Sequence, residues 1–395
     1  MSGLVPLRSF WIAGFESACH VNRARCRLDM AEATQHDRYA DLDYRLVADA
    51  GMRTVREAVP WYRVDRNGSY DFSSIVPMLD AAGRCGIQVL WTLCHWGWPD
   101  DLDPLSSGFV GRMARYARAS AEFIGRHSDG PHWFTPVNEI SFAAWAAGEV
   151  AYMHPYLRGA SDAVKRQLVA AAIASMDEIW TVLPSARMLH TDPIIQVVTP
   201  RGRPDLAREA YDYTSAQYAA WDMLAGGMAP ELGGHPRYLD VIAANYYASN
   251  QWELDGAALH WDDGPHDDRW VPLHEQLLRL HRRYGRPIVV GETSHVGAGR
   301  APWLREVTTE IVRALDMGVE LEGVCLYPII DRPDWENRDH WHRSGLWDVV
   351  PGSRGEFRRV ACEPYLDELR HSKERVARMR PDETGPLEPA EAGVA

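Results

Sequence analysis

The sequence predicts an α/β fold, a single (β/α)8 TIM barrel. Three observations carry this. Short apolar runs alternate with longer segments of helical period, eight such pairs can be counted, and no Gly-rich phosphate turn follows the first run. An open dinucleotide-binding sheet would open with G-x-G-x-x-G, and here Gly14-Phe15-Glu16 leads into Ser17-Ala18-Cys19.

The expected strands are Phe10–Phe15, Arg53–Glu57, Ile87–Cys94, His132–Val137, Ala186–His190, Leu239–Asn245, Pro287–Gly291 and Gly323–Tyr327. Each is short, and several are continuously apolar, as strands buried on both faces are. Between them the spacing predicts helices over Asp37–Ala50, Ser73–Arg84, Phe109–His127, Asp162–Leu183, Leu206–Leu224, Val271–Tyr284, Ala301–Met317 and Tyr365–Met379. Gly51 and Gly86 follow the first two as natural stops. One barrel domain over residues 1–380 is expected. Residues 381–395, rich in Pro, Gly, Glu and Ala with few large apolar side chains, read as a disordered acidic tail.

Composition narrows the function. The chain of 395 residues is 46% hydrophobic and 25% charged, and 42 Lys and Arg against 55 Asp and Glu leave a net charge of −13. That balance opposes binding to nucleic acid or an anionic membrane face. No apolar run approaches the roughly 18 residues of a membrane span. Six scattered cysteines without a C-x-x-C pair read as reduced thiols, and the first twenty residues lack the apolar core of a secretory signal, so the cytoplasm is the expected location. Sixteen Trp and sixteen Tyr against eight Phe favour rings with a polar edge, which suit sugars as well as cores.

In a barrel the chemistry sits at the C-terminal ends of the strands, so the polar residues ending each apolar run are the candidates. In chain order these are Arg56, His95-Trp96, Asn138-Glu139, Asn245-Tyr246-Tyr247, Glu292 and Asp331 through Trp335. Two glutamates converging on one mouth match the needs of glycosidic bond cleavage, in which a protonated carboxyl donates to the leaving oxygen and an ionised one attacks the anomeric carbon. Asn138 is placed to meet a sugar 2-hydroxyl, Arg56 to keep the nucleophile ionised, and Tyr247 to hydrogen-bond it. His340-Trp341-His342 with Asp339 offers two metal-ligand spacings but no evident third partner, and reads as a rim loop, with no metal and no cofactor required.

Thr92-Leu93-Cys94-His95-Trp96, Pro136-Val137-Asn138-Glu139, Asn245-Tyr246-Tyr247, Val290-Gly291-Glu292, Leu326 through Trp335 and Arg343 through Asp348 resemble, in motif order, glycoside hydrolase family 1, of the β-glucosidase type. The resemblance implies Glu139 as acid/base, Glu292 as nucleophile, Arg56, Asn138 and Tyr247 as supports, and His95, Trp96, Asn245, Asp334 and Trp335 as sugar contacts. This chain has Ile140 after the acid/base where the family has Pro, Thr293-Ser294 after the nucleophile, Tyr327 for a Trp and Asp334 for a Glu. Its first-strand end lacks the family's Gln and leaves Glu16 or His20 to meet the glycone.

The implied activity is retaining hydrolysis of a β-glucoside-like, non-phosphorylated glycoside or oligosaccharide, because a carboxylate at Asp334 accepts from hydroxyls and repels phosphate. The competing readings are a catalytically silent glycan-binding barrel and a transglycosidase or endo-glycanase using the same pair. A parent protein without turnover would mark the first.

Overall fold

The computed structural model describes residues 7–261 and 266–380. Eight parallel strands form a closed ring: β1 (Trp11–Gly14), β2 (Thr54–Ala58), β3 (Gln88–Thr92), β4 (Trp133–Thr135), β5 (Arg187–Pro193), β6 (Val241–Asn245), β7 (Ile288–Thr293) and β8 (Leu321–Leu326). Each pairs with the next in chain order, and β8 closes on β1 through Trp11↔Val324 and Ile12↔Cys325. The predicted barrel is therefore the observed one. The proposed tail, 381–395, lies outside the described residues.

Because successive side chains of a strand point to opposite faces, the ring separates two cores. Ile12, Leu90, Trp133, Leu189, Val241 and Val289 fill the inside. A larger apolar layer packs the outer strand faces against α1 (His36–Asp49), α2 (Val76–Cys85), α3 (Phe109–His127), α4 (Ile140–Gly148), α5 (Ser161–Val182), α7 (Ala219–Ala225), α8 (Leu273–Tyr284), α9 (Arg300–Asp316) and α10 (Glu363–Ala377), while α6 (Ala207–Ser215) packs on the short strand Gln196–Val198 outside it.

Three features depart from the sequence expectation. The helix read over Leu206–Leu224 is two, because the Gln217 side chain donates to Thr214 O (2.6 Å) and pairs with both backbone groups of Ile195, anchoring a 3-10 turn between α6 and α7. α4 was not expected, since its sequence is apolar on every side and carries no amphipathic stripe. Beyond β8 an antiparallel hairpin, β9 (Trp347–Pro351) and β10 (Phe357–Ala361), packs beside the barrel.

That hairpin is fastened by a buried charge network. Arg359 of β10 makes two bonds to Asp43 of α1 (2.7 and 2.9 Å), and His36 bridges Asp43 and Glu57 of β2, each at 2.8 Å. The Phe15 ring stacks on His36 with centroids 3.9 Å apart. Burial disfavours a charged imidazole, but Glu57 and Asp43 outweigh it and raise His36 to about 9.

Candidate active site

Glu139 follows β4 and caps α4 in the left-handed region, φ 44 and ψ 65. A non-glycine residue there carries strain of about 1–3 kcal/mol. The surroundings hold it. Its N–H donates to Thr191 O (3.0 Å), its carbonyl accepts from Ala143 N (2.8 Å), and Ser141 of the next turn donates to Asp192 through both N–H (3.0 Å) and hydroxyl (2.8 Å).

Glu292 lies within β7 rather than after it, and reaches the mouth by an irregularity. The pairing register of β7 with β6 shifts between Val290 and Glu292, so the inward phase set by Val289 passes to Glu292. Gly291 makes this approach feasible, since a Cβ there would stand 2.5 Å from Asn245 Oδ1 and 2.9 Å from the Ala243 Cβ.

The two carboxyls differ in their partners. Arg56 Nη1 donates to Glu292 Oε1 at 2.6 Å and the Tyr247 hydroxyl to Oε2 at 2.9 Å. Both of its oxygens thus accept from protein donors, one of them charged. Glu139 receives one neutral bond, from Asn245 Nδ2 at 2.8 Å. Burial first, then the charges of Glu292 and Asp192, hold its carboxyl well above the ordinary range. One carboxyl is thus suited to give a proton and the other to attack.

Beneath them Asn138 links the strands. Its Oδ1 accepts from Arg56 Nη2 (2.5 Å) and Thr191 Oγ1 (2.7 Å), and its Nδ2 lies 3.0 Å from His95 Nε2. As that amide donates, His95 Nε2 accepts, and Nδ1–H is left to donate to Ser17 Oγ at 3.0 Å. Burial, with Arg56 nearby, holds His95 well below the usual imidazole range and so neutral. Trp96, itself at φ 63, donates Nε1–H to Asn138 O at 2.7 Å.

Above this layer opens a cavity of about 500 Å3. Of the residues expected at the site, Glu139, Glu292, Tyr247, His95, Trp96 and Trp335 line it. Arg56, Asn138 and Asn245 do not. They are buried below, and the amide nitrogens of both asparagines are engaged by protein, so these residues underpin the carboxylates where sugar contacts were expected of Asn138 and Asn245. Asp334 also does not line the cavity. Its carboxylate accepts from Glu336 N (2.8 Å), Asn337 N (2.9 Å) and His342 Nε2 (3.1 Å), which closes a local turn. His20 is fully buried beside Trp335 and Trp96.

The wall expected of Asp334 is built by others. Glu16, two residues past β1, pairs through Oε2 with Arg332 Nε at 3.0 Å, and both face the cavity. Tyr327 lies beside Glu16, its hydroxyl accepting from Ser17 N (3.2 Å) and donating to Glu16 Oε1 (3.5 Å), in space that a side chain on Gly14 would fill at 2.2 Å. Phe142, His342 and Ser344 are also among the lining residues. Arg332 lies within the expected stretch Asp331 through Trp335, whereas Phe142 lies three residues past Glu139 and outside every motif. Among the described residues no group of three or more His, Cys, Asp or Glu side chains is arranged to hold a metal ion, and His342 is instead bound to Asp334. No described helix is long and apolar enough to cross a membrane.

No protein-family model matches the chain. It is similar to the bifunctional β-D-glucosidase/β-D-fucosidase of Bifidobacterium breve, 23% identical over 392 residues, covering 78% of this chain and 81% of that protein. In fold it is similar to the β-glucosidase of Thermotoga maritima. The complex of that enzyme with glucoimidazole matches with a TM-score of 0.74 at 14% identity, over 93% of this chain and 98% of the other. The complex with deoxynojirimycin matches with a TM-score of 0.73 at 13% identity, over 94% and 98%.

Proposed function

From a chain that is glycoside hydrolase family 1-like in its barrel and its motifs, we propose a retaining β-glycosidase with Glu139 as acid/base and Glu292 as nucleophile. The observation that carries this reading is the asymmetry of two carboxyls in one cavity: Glu292 is ion-paired and doubly hydrogen-bonded, whereas Glu139 is desolvated and favours its proton. A Glu292 oxygen attacks the anomeric carbon as the glycosidic C–O bond breaks and the Glu139 proton passes to the leaving oxygen. Glu139, now ionised, then takes a proton from water, whose oxygen displaces Glu292 from the sugar. A sugar hydroxyl in place of that water gives transglycosylation from the same intermediate.

The glycone is of the β-glucoside or β-fucoside kind, in keeping with the activities that name the Bifidobacterium relative. With Asp334 turned away, the choice between a neutral and a phosphorylated sugar passes to the Glu16–Arg332 pair, whose opposed charges suit hydroxyls better than a dianion. A cytoplasmic location is proposed on the scattered cysteines of the sequence alone.

The test is incubation with a panel of activated 2-deoxy-2-fluoro-β-glycosides followed by intact and peptide mass analysis. An adduct on Glu292 is expected and names the preferred glycone. Glycan binding without an adduct or turnover would instead mark a silent barrel.

A further inference from the structure

The mechanism leaves one buried carboxyl beside the site without a task. Asp192 ends β5, is 1% exposed, and faces outward between that strand and the first turn of α4. Its oxygens accept from Ser141 N at 3.0 and 3.3 Å and from Ser141 Oγ at 2.8 Å, and Phe142 N adds a further bond. These N–H groups belong to the turn that begins at Glu139, and intrahelical bonds cannot satisfy them. The preceding residue, Thr191, binds Glu139 N and Asn138 Oδ1. The end of β5 therefore grips the acid/base segment from both sides.

We propose that Asp192 is a positioning residue for the acid/base: it locks the first turn of α4, and with it the left-handed backbone of Glu139, and sets a negative charge behind that carboxyl. This inference rests on the reading of Glu139 given above. The arrangement does more than a neutral cap would. Asp192 is among the charges that raise Glu139, against Glu292 of β7, which raises it further, and Arg56 of β2 and Asn245 of β6, which lower it. Asp192 itself faces Lys165 of α5 as well as the α4 turn, and burial lifts it to about 7. Its charge on Glu139 is consequently present above neutral pH and fades below it.

Asp192→Asn keeps an acceptor for Ser141 and removes the charge, whereas Asp192→Ala removes both. Carboxyl-13C glutamate labelling, with the Glu139 resonance assigned by its loss in Glu139→Gln, reads the titration of Glu139 without requiring turnover. The midpoint is expected to fall in Asp192→Asn by on the order of half a pH unit. The alkaline limb of kcat/KM is expected to move down with it. Asp192→Ala is expected to slow alkyl glycosides, which need a proton, about 10-fold more than dinitrophenyl glycosides, which do not. An unmoved Glu139 midpoint, or equal slowing of both substrate types, overturns the proposal. If Glu139→Ala itself shows no leaving-group dependence, the acid/base reading falls, while the titration still decides what Asp192 does to Glu139.

Discussion

The guanidinium of Arg56 stands 2.6 Å from the carboxylate of Glu292, and its second Nη holds Asn138, the residue before Glu139. One planar fork thus ties the candidate nucleophile to the segment of the candidate acid. A lysine reaches one of these partners and cannot replace the fork. Arg56→Lys is expected to lower the rate of fluoroglycoside trapping about 100-fold, the scale of losing one preorganised donor in a closed site. A trapping rate within twofold of the parent would count against the role given to Arg56.

The two glutamates are separable by rescue. Glu139→Ala should lose about 100- to 10,000-fold on poor leaving groups and far less on dinitrophenyl glycosides. Azide should restore its turnover and yield the β-glycosyl azide. Glu292→Ala should be inactive on all substrates, and azide should give the α product, because the small anion then attacks from the vacated face. Proton NMR of the azide products reads the configuration, and the opposite pattern would exchange the roles.

Gly291→Ala places a methyl group against Asn245 Oδ1 and Ala243. Overpacking of this kind costs about 1–3 kcal/mol. Because the displaced amide is the one that bonds Glu139, turnover should fall at least as much as stability does. Thermal unfolding and kcat measured on the same preparation check this. A lowered melting temperature with unchanged kcat would separate Asn245 from the chemistry.

The His36 network should write itself into the pH dependence of stability. His36 is raised to about 9 in the folded chain, so between 6.5 and 9 the folded state holds a proton that the unfolded state releases. Its contribution is complete below 6.5 and is lost as pH rises through 9. Asp43 moves the other way, lowered by Arg359 and His36 although burial opposes them, so its contribution holds above 3.8 and fails as pH falls further. Denaturant titrations from pH 6 to 10 should show declining stability. His36→Gln should flatten that decline and cost about 3–5 kcal/mol at neutral pH by leaving Glu57 unpaired.

How far the sequence revealed this site depended on where each strand stops being apolar. At Val290-Gly291-Glu292 the polar residue ends an uninterrupted apolar run, and at Asn138-Glu139 one broken only by Thr135, so the strand-end argument finds both. At His190-Thr191-Asp192 the run becomes polar early, so the expected strand ended at His190 while β5 continues to Pro193, and the two residues that grip Glu139 went unread. Asp334 misled for a different reason. The turn to Asn337 and His342 takes up its carboxylate, and no periodicity records which way a loop side chain faces. The Glu16–Arg332 pair escaped because its halves lie on the first strand end and the last, where only the closed ring makes them neighbours.

Closure of that ring also has a bearing on how the molecule is made. Both candidate catalytic carboxyls are part of the chain once residue 292 has been joined, but the cavity around them awaits Tyr327 and Arg332, which meet Ser17 and Glu16 across some 310 residues of chain. At roughly 5–20 residues per second, the earliest strand spends tens of seconds without its final partner. Until then the barrel is a cup without a wall, in which the Glu16–Arg332 pair described above cannot form. Competence to bind substrate therefore waits for Tyr327 and Arg332 and for the closure of the ring on β1, and a chain released before residue 327 lacks that wall.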